Sequence, residues 1–318
     1  MKRLSRDERL QAIAFLLIPG LVGHAIQLVG EDVPWADWAR LRYFHTPGWH
    51  LLLPPAVPVL IAAGLAVSVI GLAVRRSRPW MLAIVALYAA HYLTYPYRIR
   101  NHMSLMLAEL AMLAGVWWIG RGHGRRHVDG WALRGMASVL CVTYVSAALH
   151  KVNTNFTSLD PARSAAVEGL TTFWIYGDLG STPPGWAVAV AIWGTIVIEA
   201  LAPILAWRVH ALRVPLVLVL FAFHFPHVAV MNVADYPMIA SAFYPALFPR
   251  AHFRLVLRHA RRPNAFNVTG AALGVAAQLW FMPWWGALMV FGIGVMALWG
   301  WASGAMIRML VHAAKKSA

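Results

Sequence analysis

A series of apolar runs, each about 20 residues long, constrains the fold of this chain more than any other feature. One run begins near Trp131 and ends at His150, immediately before Lys151. About 20 apolar residues are enough for an α-helix to cross the hydrocarbon core of a bilayer. Because that core offers no water to backbone groups, a crossing segment must satisfy them within a helix. The sequence therefore predicts an all-α fold, a polytopic integral membrane helical bundle.

Composition and charge agree with this class of protein. Of the 318 residues, 60% are hydrophobic and only 12% are charged, which lies outside the range of soluble domains. The formal net charge of +15 falls largely in short clusters between the apolar runs, as at 75–78 and 121–126. Such clusters indicate cytoplasmic loops and contacts with lipid rather than a nucleic-acid partner. The single cysteine, Cys141, excludes a disulfide within this sequence.

The apolar runs predict nine or ten transmembrane helices in one transmembrane domain over residues 1–318. Residues 1–249 form the core of this domain, and residues 250–318 form a basic loop followed by a C-terminal helical hairpin. With ten crossings, both termini lie in the cytoplasm of a multi-pass inner-membrane protein. The predicted spans are 10–29, 51–74, 80–95, 103–119, 131–150, 186–207, 214–231, a short segment at 237–248, and a hairpin within 265–310 that is broken around Pro283.

Alternating these spans across the membrane predicts one site near the outer face. The turn at Asn101 and His102, the helix end at His150 and Lys151, and the turn at 232–237 all fall on the outer side, although they are far apart in sequence. The longest predicted loop, 151–185, lies on the same side, and loops of that length are often functional. An outward-facing substrate would reach a site built from these segments.

The predicted spans contain so few polar residues that the role of each one can be considered separately. Tyr144 and Lys151 are seven residues apart and share one helical face, as do His102 and Glu109. Lys151 either extends its ammonium to the headgroups or has a chemical role, which the nearby polar residues favour. Glu109 and Glu199 are expected to pair with neighbouring helices rather than to act in catalysis.

The histidines do not predict a metal site. His224 and His227 have the i, i+3 spacing that can present two imidazoles to one metal ion. With 14 histidines in the chain, such a pair arises readily by chance, and no third histidine adjoins it. A histidine-ligated metal oxidase stays an alternative that bound iron or copper would support.

Several polar motifs occur in an order that resembles the membrane region of vitamin K-dependent gamma-glutamyl carboxylase and its bacterial relatives, the horizontally transferred transmembrane (HTTM) domain proteins. The resemblance covers roughly residues 10–249 and implies a membrane enzyme with a lyase activity. The motifs are Asn101-His102-Met103-Ser104-Leu105, Ser146 to Asn153, Ile198 to Pro203, and Phe223-His224.

The resemblance implies a mechanism and a set of site residues. It makes Lys151 the base that deprotonates a reduced quinone, of the vitamin K or menaquinol type, and His102 the residue that assists at the substrate carbanion. Asn101 would orient His102, and His224 would support the site. Oxygen and carbon dioxide would be co-substrates in epoxidation and carboxylation. Tyr144, His150 and Glu109 complete the predicted site as supporting residues.

Two departures from the family pattern keep other functions open. The carboxylase has a lysine where this chain has His150, and it carries a large extramembrane C-terminal region that we do not expect here. Protein-directed carboxylation is therefore less expected than quinol oxidation. The alternatives are a non-catalytic module that binds a lipid, a quinone or a partner protein, and a small transporter. The expected partners are membrane lipid, an isoprenoid quinol and an outward-facing substrate, with no nucleic acid.

Overall fold

A computed structural model describes residues 8–30, 56–75, 78–94, 101–119, 125–159, 184–230, 235–249, 262–281 and 289–317. Within these ranges the chain consists of helices and short turns, and it contains no strand. The prediction of an all-α fold is confirmed for this part of the chain.

The described part contains eleven α-helices and two short 3₁₀ segments. The 3₁₀ segments are His210–Leu212 and Tyr244–Leu247. The α-helices are α1 (Glu8–Gly30), α2 (Ala56–Arg75), α3 (Arg78–Thr94), α4 (Asn101–Ile119), α5 (Arg125–Lys151), the short α6 (Thr154–Thr157), α7 (Gly185–Arg208), α8 (Arg213–Val230), α9 (Asp235–Phe243), α10 (Ala265–Phe281) and α11 (Met289–Ser317).

Three described segments are long and apolar enough to cross a membrane. They are Asp129–Lys151 in α5, Gly185–Arg208 in α7 and Ile293–His312 in α11. Shorter apolar helical segments of 10–17 residues occur in α1 to α4 and in α8 to α10. The number of crossings and their orientation stay predictions.

Some helix boundaries differ from those predicted. α4 begins at Asn101, so Asn101 and His102 lie in its first turn and not in the connection before it. α5 begins at Arg125, six residues before the predicted start, and includes Lys151. The short segment predicted at 237–248 is α9 followed by the 3₁₀ turn at Tyr244, where Pro245 lacks the amide hydrogen that an α-helix would use. The predictions for the loops at 31–50, 160–183 and 250–261 lie outside the described residues.

Helix α5 packs between α4 and α7 and also contacts the 3₁₀ segment that follows α9. Its buried face includes Met136, Leu140, Tyr144 and Ala148, each at most 2% exposed. On another side of the core, α1 packs against α2, α9 and α11. The polar residues on the buried face of α5 are therefore surrounded by other helices.

The predicted C-terminal hairpin is present as α10 packed along α11. Gly270 and Gly274 of α10 face the backbone of α11, while Gly300 and Gly304 of α11 face that of α10. A Cβ atom at any of these four positions would collide with a backbone carbonyl of the opposite helix. Glycines at i, i+4 spacing allow this close approach.

Candidate functional site

The end of α5 is fixed by one asparagine that joins two helices. The side-chain amide of Asn153 donates to the backbone carbonyl of His150 at 2.6 Å, and its Oδ1 accepts from the backbone N–H of Phe156 at 2.9 Å. Asparagine is a strong N-cap residue because its side chain satisfies amides that the first helical turn leaves unpaired. Asn153 therefore stops α5 just after Lys151 and begins α6.

Lys151 is held by three of its neighbours. Its Nζ forms an ion pair with Glu199 Oε2 of α7 at 2.6 Å and also donates to the backbone carbonyl of Ala147 at 3.5 Å. The ring of Phe156 in α6 lies 5.9 Å from the same nitrogen. Phe156 in turn packs against Val188 and Ile192 of α7. The ammonium group is thus enclosed by α5, α6 and α7.

The ion pair lies well inside α7 rather than at its end. Glu199 is the fifteenth of the 24 residues of α7, which places it about 21 Å from the first residue and about 14 Å from the last. Pro203 follows four residues later and has no N–H to donate to the carbonyl of Glu199. The side chain of Glu199 is 8% exposed and that of Lys151 is 27% exposed. Glu199 therefore pairs with a neighbouring helix as predicted, and the ammonium of Lys151 is directed to a carboxylate.

A second polar cluster lies two turns earlier on the same face of α5. The hydroxyl of fully buried Tyr144 forms a short hydrogen bond with Nε2 of His224 in α8. The same oxygen lies 2.9 Å from the hydroxyl of Tyr244, in the 3₁₀ segment after α9. The rings of Tyr144 and His224 meet edge to face. Tyr144, His224 and Tyr244 together form what we call the phenol–imidazole cluster, and it joins three segments of the chain.

Glu109 of α4 lies in the core near this cluster. Its side chain is fully buried, and it lies close enough to the phenol of Tyr244 for the two groups to interact electrostatically. Among the described residues, neither carboxylate oxygen has a hydrogen-bond partner. The prediction that Glu109 pairs with a neighbouring helix is therefore not met within the described part of the chain.

The structure brings some predicted site residues together and separates another. Tyr144 and Lys151 lie on one face, and His224 contacts Tyr144 directly. The side chain of His150, in contrast, is exposed, because it lies on the side of α5 away from the core. Asn101 and His102 begin α4, but their side chains lie outside the described residues, as does that of His227. No group of three or more metal-ligating side chains occurs among those that are described.

Two residues of the site did not emerge from the sequence. Tyr244 completes the phenol–imidazole cluster, and Phe156 covers Lys151. The only sequence signal for Tyr244 was its position directly before Pro245, in a segment too short to span a bilayer. Nothing in the spacing of Phe156 distinguishes it from the other aromatic residues of the predicted loop.

The arrangement offers two kinds of proton chemistry on one helical face. An ammonium–carboxylate pair can pass a proton between nitrogen and oxygen at 2.6 Å. The phenol–imidazole cluster contains groups that both donate and accept hydrogen bonds. Buried clusters of ionisable groups in apolar surroundings are typical of functional sites.

Comparison with known proteins adds no relative. No protein-family model matches the chain, and neither a curated protein nor a solved structure matches it. The function must therefore be argued from the geometry and from the sequence motifs.

Proposed function

We propose that this chain is a multi-pass membrane protein that binds a reduced isoprenoid quinone within its helices and accepts a proton from it. The membrane part of the proposal rests on α7, whose buried and exposed positions are both mostly apolar, with Glu199 as the one acidic residue of the helix. Val188 and Ile192 are buried, while Val190, Val197 and Leu201 are at least half exposed. A helix that is apolar all round requires apolar surroundings on its exposed face as well. Lipid chains supply those surroundings.

The observation that carries the quinone part is the phenol–imidazole cluster beside the carboxyl group of Glu109 in an otherwise apolar core. A reduced quinone has an apolar ring with hydroxyl groups at opposite ends, each of which donates and accepts a hydrogen bond. Tyr244 and His224 can meet one hydroxyl, and the carboxyl C=O of Glu109 can accept from the other. The donors and acceptors of the residues present therefore fit such a head group.

Lys151 is the proposed proton acceptor of the site. An amine accepts a proton only when it is neutral, and Glu199 Oε2 is close enough to take the ammonium proton first. A bound quinol would supply the hydroxyl proton and the reducing electrons for oxygen chemistry. The role of Lys151 is then to hold the quinol proton at Nζ, while Glu199 keeps the proton that it took first. The carboxylase-like activity, with carbon dioxide and an outward-facing substrate, belongs to the same proposal through the motif resemblance.

The test compares Lys151→Arg with Lys151→Ala. Arginine keeps a cation that can pair with Glu199, but guanidinium does not give up its proton in the working pH range. Purified protein in lipid nanodiscs, supplied with menaquinol and oxygen, should lose quinol oxidation in both variants. Quinol binding, measured by fluorescence quenching of the tryptophans, should persist in Lys151→Arg. His102→Ala should lose turnover with a smaller loss of binding.

Two results would decide against the proposal. Full turnover by Lys151→Arg would mean that the cation matters and the proton transfer does not. Absence of quinone from solvent extracts of the purified protein, together with no binding of added menaquinol, would remove the quinone site itself.

A second candidate is a protein that binds the quinone without turnover. It is favoured by the ion pair, since Lys151 is already engaged by Glu199 and contributes to the packing of α5 on α7. In that case menaquinol would bind and no oxidation would follow in the wild-type chain, with carbon dioxide and oxygen both present.

A further inference from the structure

Glu109 and Glu199, the buried carboxyl groups of the described core, have different hydrogen-bonding surroundings. Glu199 contacts the ammonium of Lys151 at 2.6 Å. Both oxygens of Glu109 are buried and, within the described part of the chain, accept no hydrogen bond. Its own helix offers no donor either, because the residues three and four positions away are Leu105, Met106, Met112 and Leu113.

An isolated carboxylate is very unfavourable in apolar surroundings, and in practice such a group is neutralised. A proton is the smallest ligand that neutralises it, and it needs no cavity. We propose that Glu109 is a proton-binding site inside the bundle, next to the phenol–imidazole cluster. This site goes beyond the proposed function, because it exists whether or not a quinone is bound.

The groups around Glu109 allow its proton to be exchanged. Tyr244 lies within electrostatic reach, and through Tyr144 its hydroxyl connects to the imidazole of His224. The helices that pack against α4 include α3, α5 and α9. Their ionisable side chains in the described core are Tyr88, His91 and Tyr92 on α3 and Cys141 and Tyr144 on α5.

The test uses dicyclohexylcarbodiimide, a lipid-soluble reagent for protonated carboxyl groups. The carboxyl oxygen adds to the central carbon of the carbodiimide and its proton moves to nitrogen; the adduct then rearranges to a stable N-acylurea. Peptide mass spectrometry of the full chain in detergent at neutral pH should find the adduct on Glu109 in at least about tenfold excess over Glu199. Labelling of Glu109 should fall as the pH is raised.

Two variants calibrate this reagent. Glu109→Gln should remove the adduct from α4 and leave the rest of the chain unchanged. Lys151→Met removes the partner of Glu199 and should make Glu199 reactive. Labelling of Glu199 in this variant would show that the reagent reaches Glu199 as well as Glu109. Preferential labelling of Glu199 in the wild-type chain, or labelling of Glu109 that does not change with pH, would overturn the proposal.

Infrared spectroscopy gives an answer that does not depend on access of the reagent. The wild-type minus Glu109→Gln difference spectrum at neutral pH should contain the C=O stretching band of a carboxylic acid, shifted in D₂O. Only a carboxylate band in that difference would contradict a bound proton. Both measurements need no quinone and no turnover, so a failure of the quinol proposal leaves them interpretable.

Discussion

The face of α5 and the C-terminal hairpin are both built from apolar helices, yet they are held together in different ways. On α5, side chains make the contacts between helices: Lys151 with Glu199, and Tyr144 with His224 and Tyr244. Between α10 and α11, backbones approach at glycines, and the side chain of Asn267 adds one hydrogen bond to the carbonyl of Trp301. Polar groups that cost free energy in apolar surroundings are retained where they have a use. We therefore propose that the chemistry takes place at α5 and that the hairpin is a scaffold.

The largest effect should follow from filling the hairpin interface. In Gly300→Leu, the new side chain collides with the backbone carbonyl of Gly270, which cannot move without separating the helices. We expect a loss of about 3 kcal/mol or more in the free energy of unfolding, at the upper end for an overpacked core. Gly294→Leu in the same helix is the matched control, because its Cβ would meet open space. Thermal denaturation in detergent measures both, and equal stability of the two variants would refute the proposed role of the glycines.

The ion pair should have an intermediate effect on stability. Lys151→Met leaves Glu199 without its cation and should cost about 2 kcal/mol, between the values for exposed and fully buried pairs. The double variant Lys151→Met with Glu199→Leu should regain most of that loss, since an apolar pair needs no partner. A double-mutant cycle measured by denaturation checks this. If the two losses simply add, Lys151 and Glu199 do not interact in the folded protein.

The smallest effect should come from single hydroxyl groups of the phenol–imidazole cluster. Tyr144→Phe removes the oxygen that His224 and Tyr244 share, so we expect a loss of about 1 kcal/mol or slightly more. Tyr244→Phe removes only one of those contacts and should cost less. Quinol binding should weaken in both variants, whereas a hairpin variant that still folds should bind normally. The reverse order of the two tyrosine variants would show that Tyr144 is not the central hydroxyl.

Local patterns were sufficient to predict the helices and one face of the site. Runs of apolar residues and the 3.6-residue period place helices at nearly the predicted positions, and they put Tyr144 and Lys151 on one side of α5. The pairing of the last two helices, α10 and α11, was also predicted from the sequence, while the predicted break around Pro283 lies outside the described residues. The glycine spacing at 270 and 274 and at 300 and 304 is a sequence signal for close packing of these two helices.

The sequence by itself determined which residues share a helix face and how few ionisable residues the interior contains. Both properties depend only on residues a few positions apart in the chain. Only the tertiary structure decided the partners. It joined Lys151 to Glu199, it brought Tyr244 to Tyr144, and it left His150 exposed. These outcomes depend on how helices far apart in sequence rotate and slide against one another. Apolar packing dominates that choice. Because it is nearly nondirectional, no periodic pattern along the chain identifies which helices become neighbours.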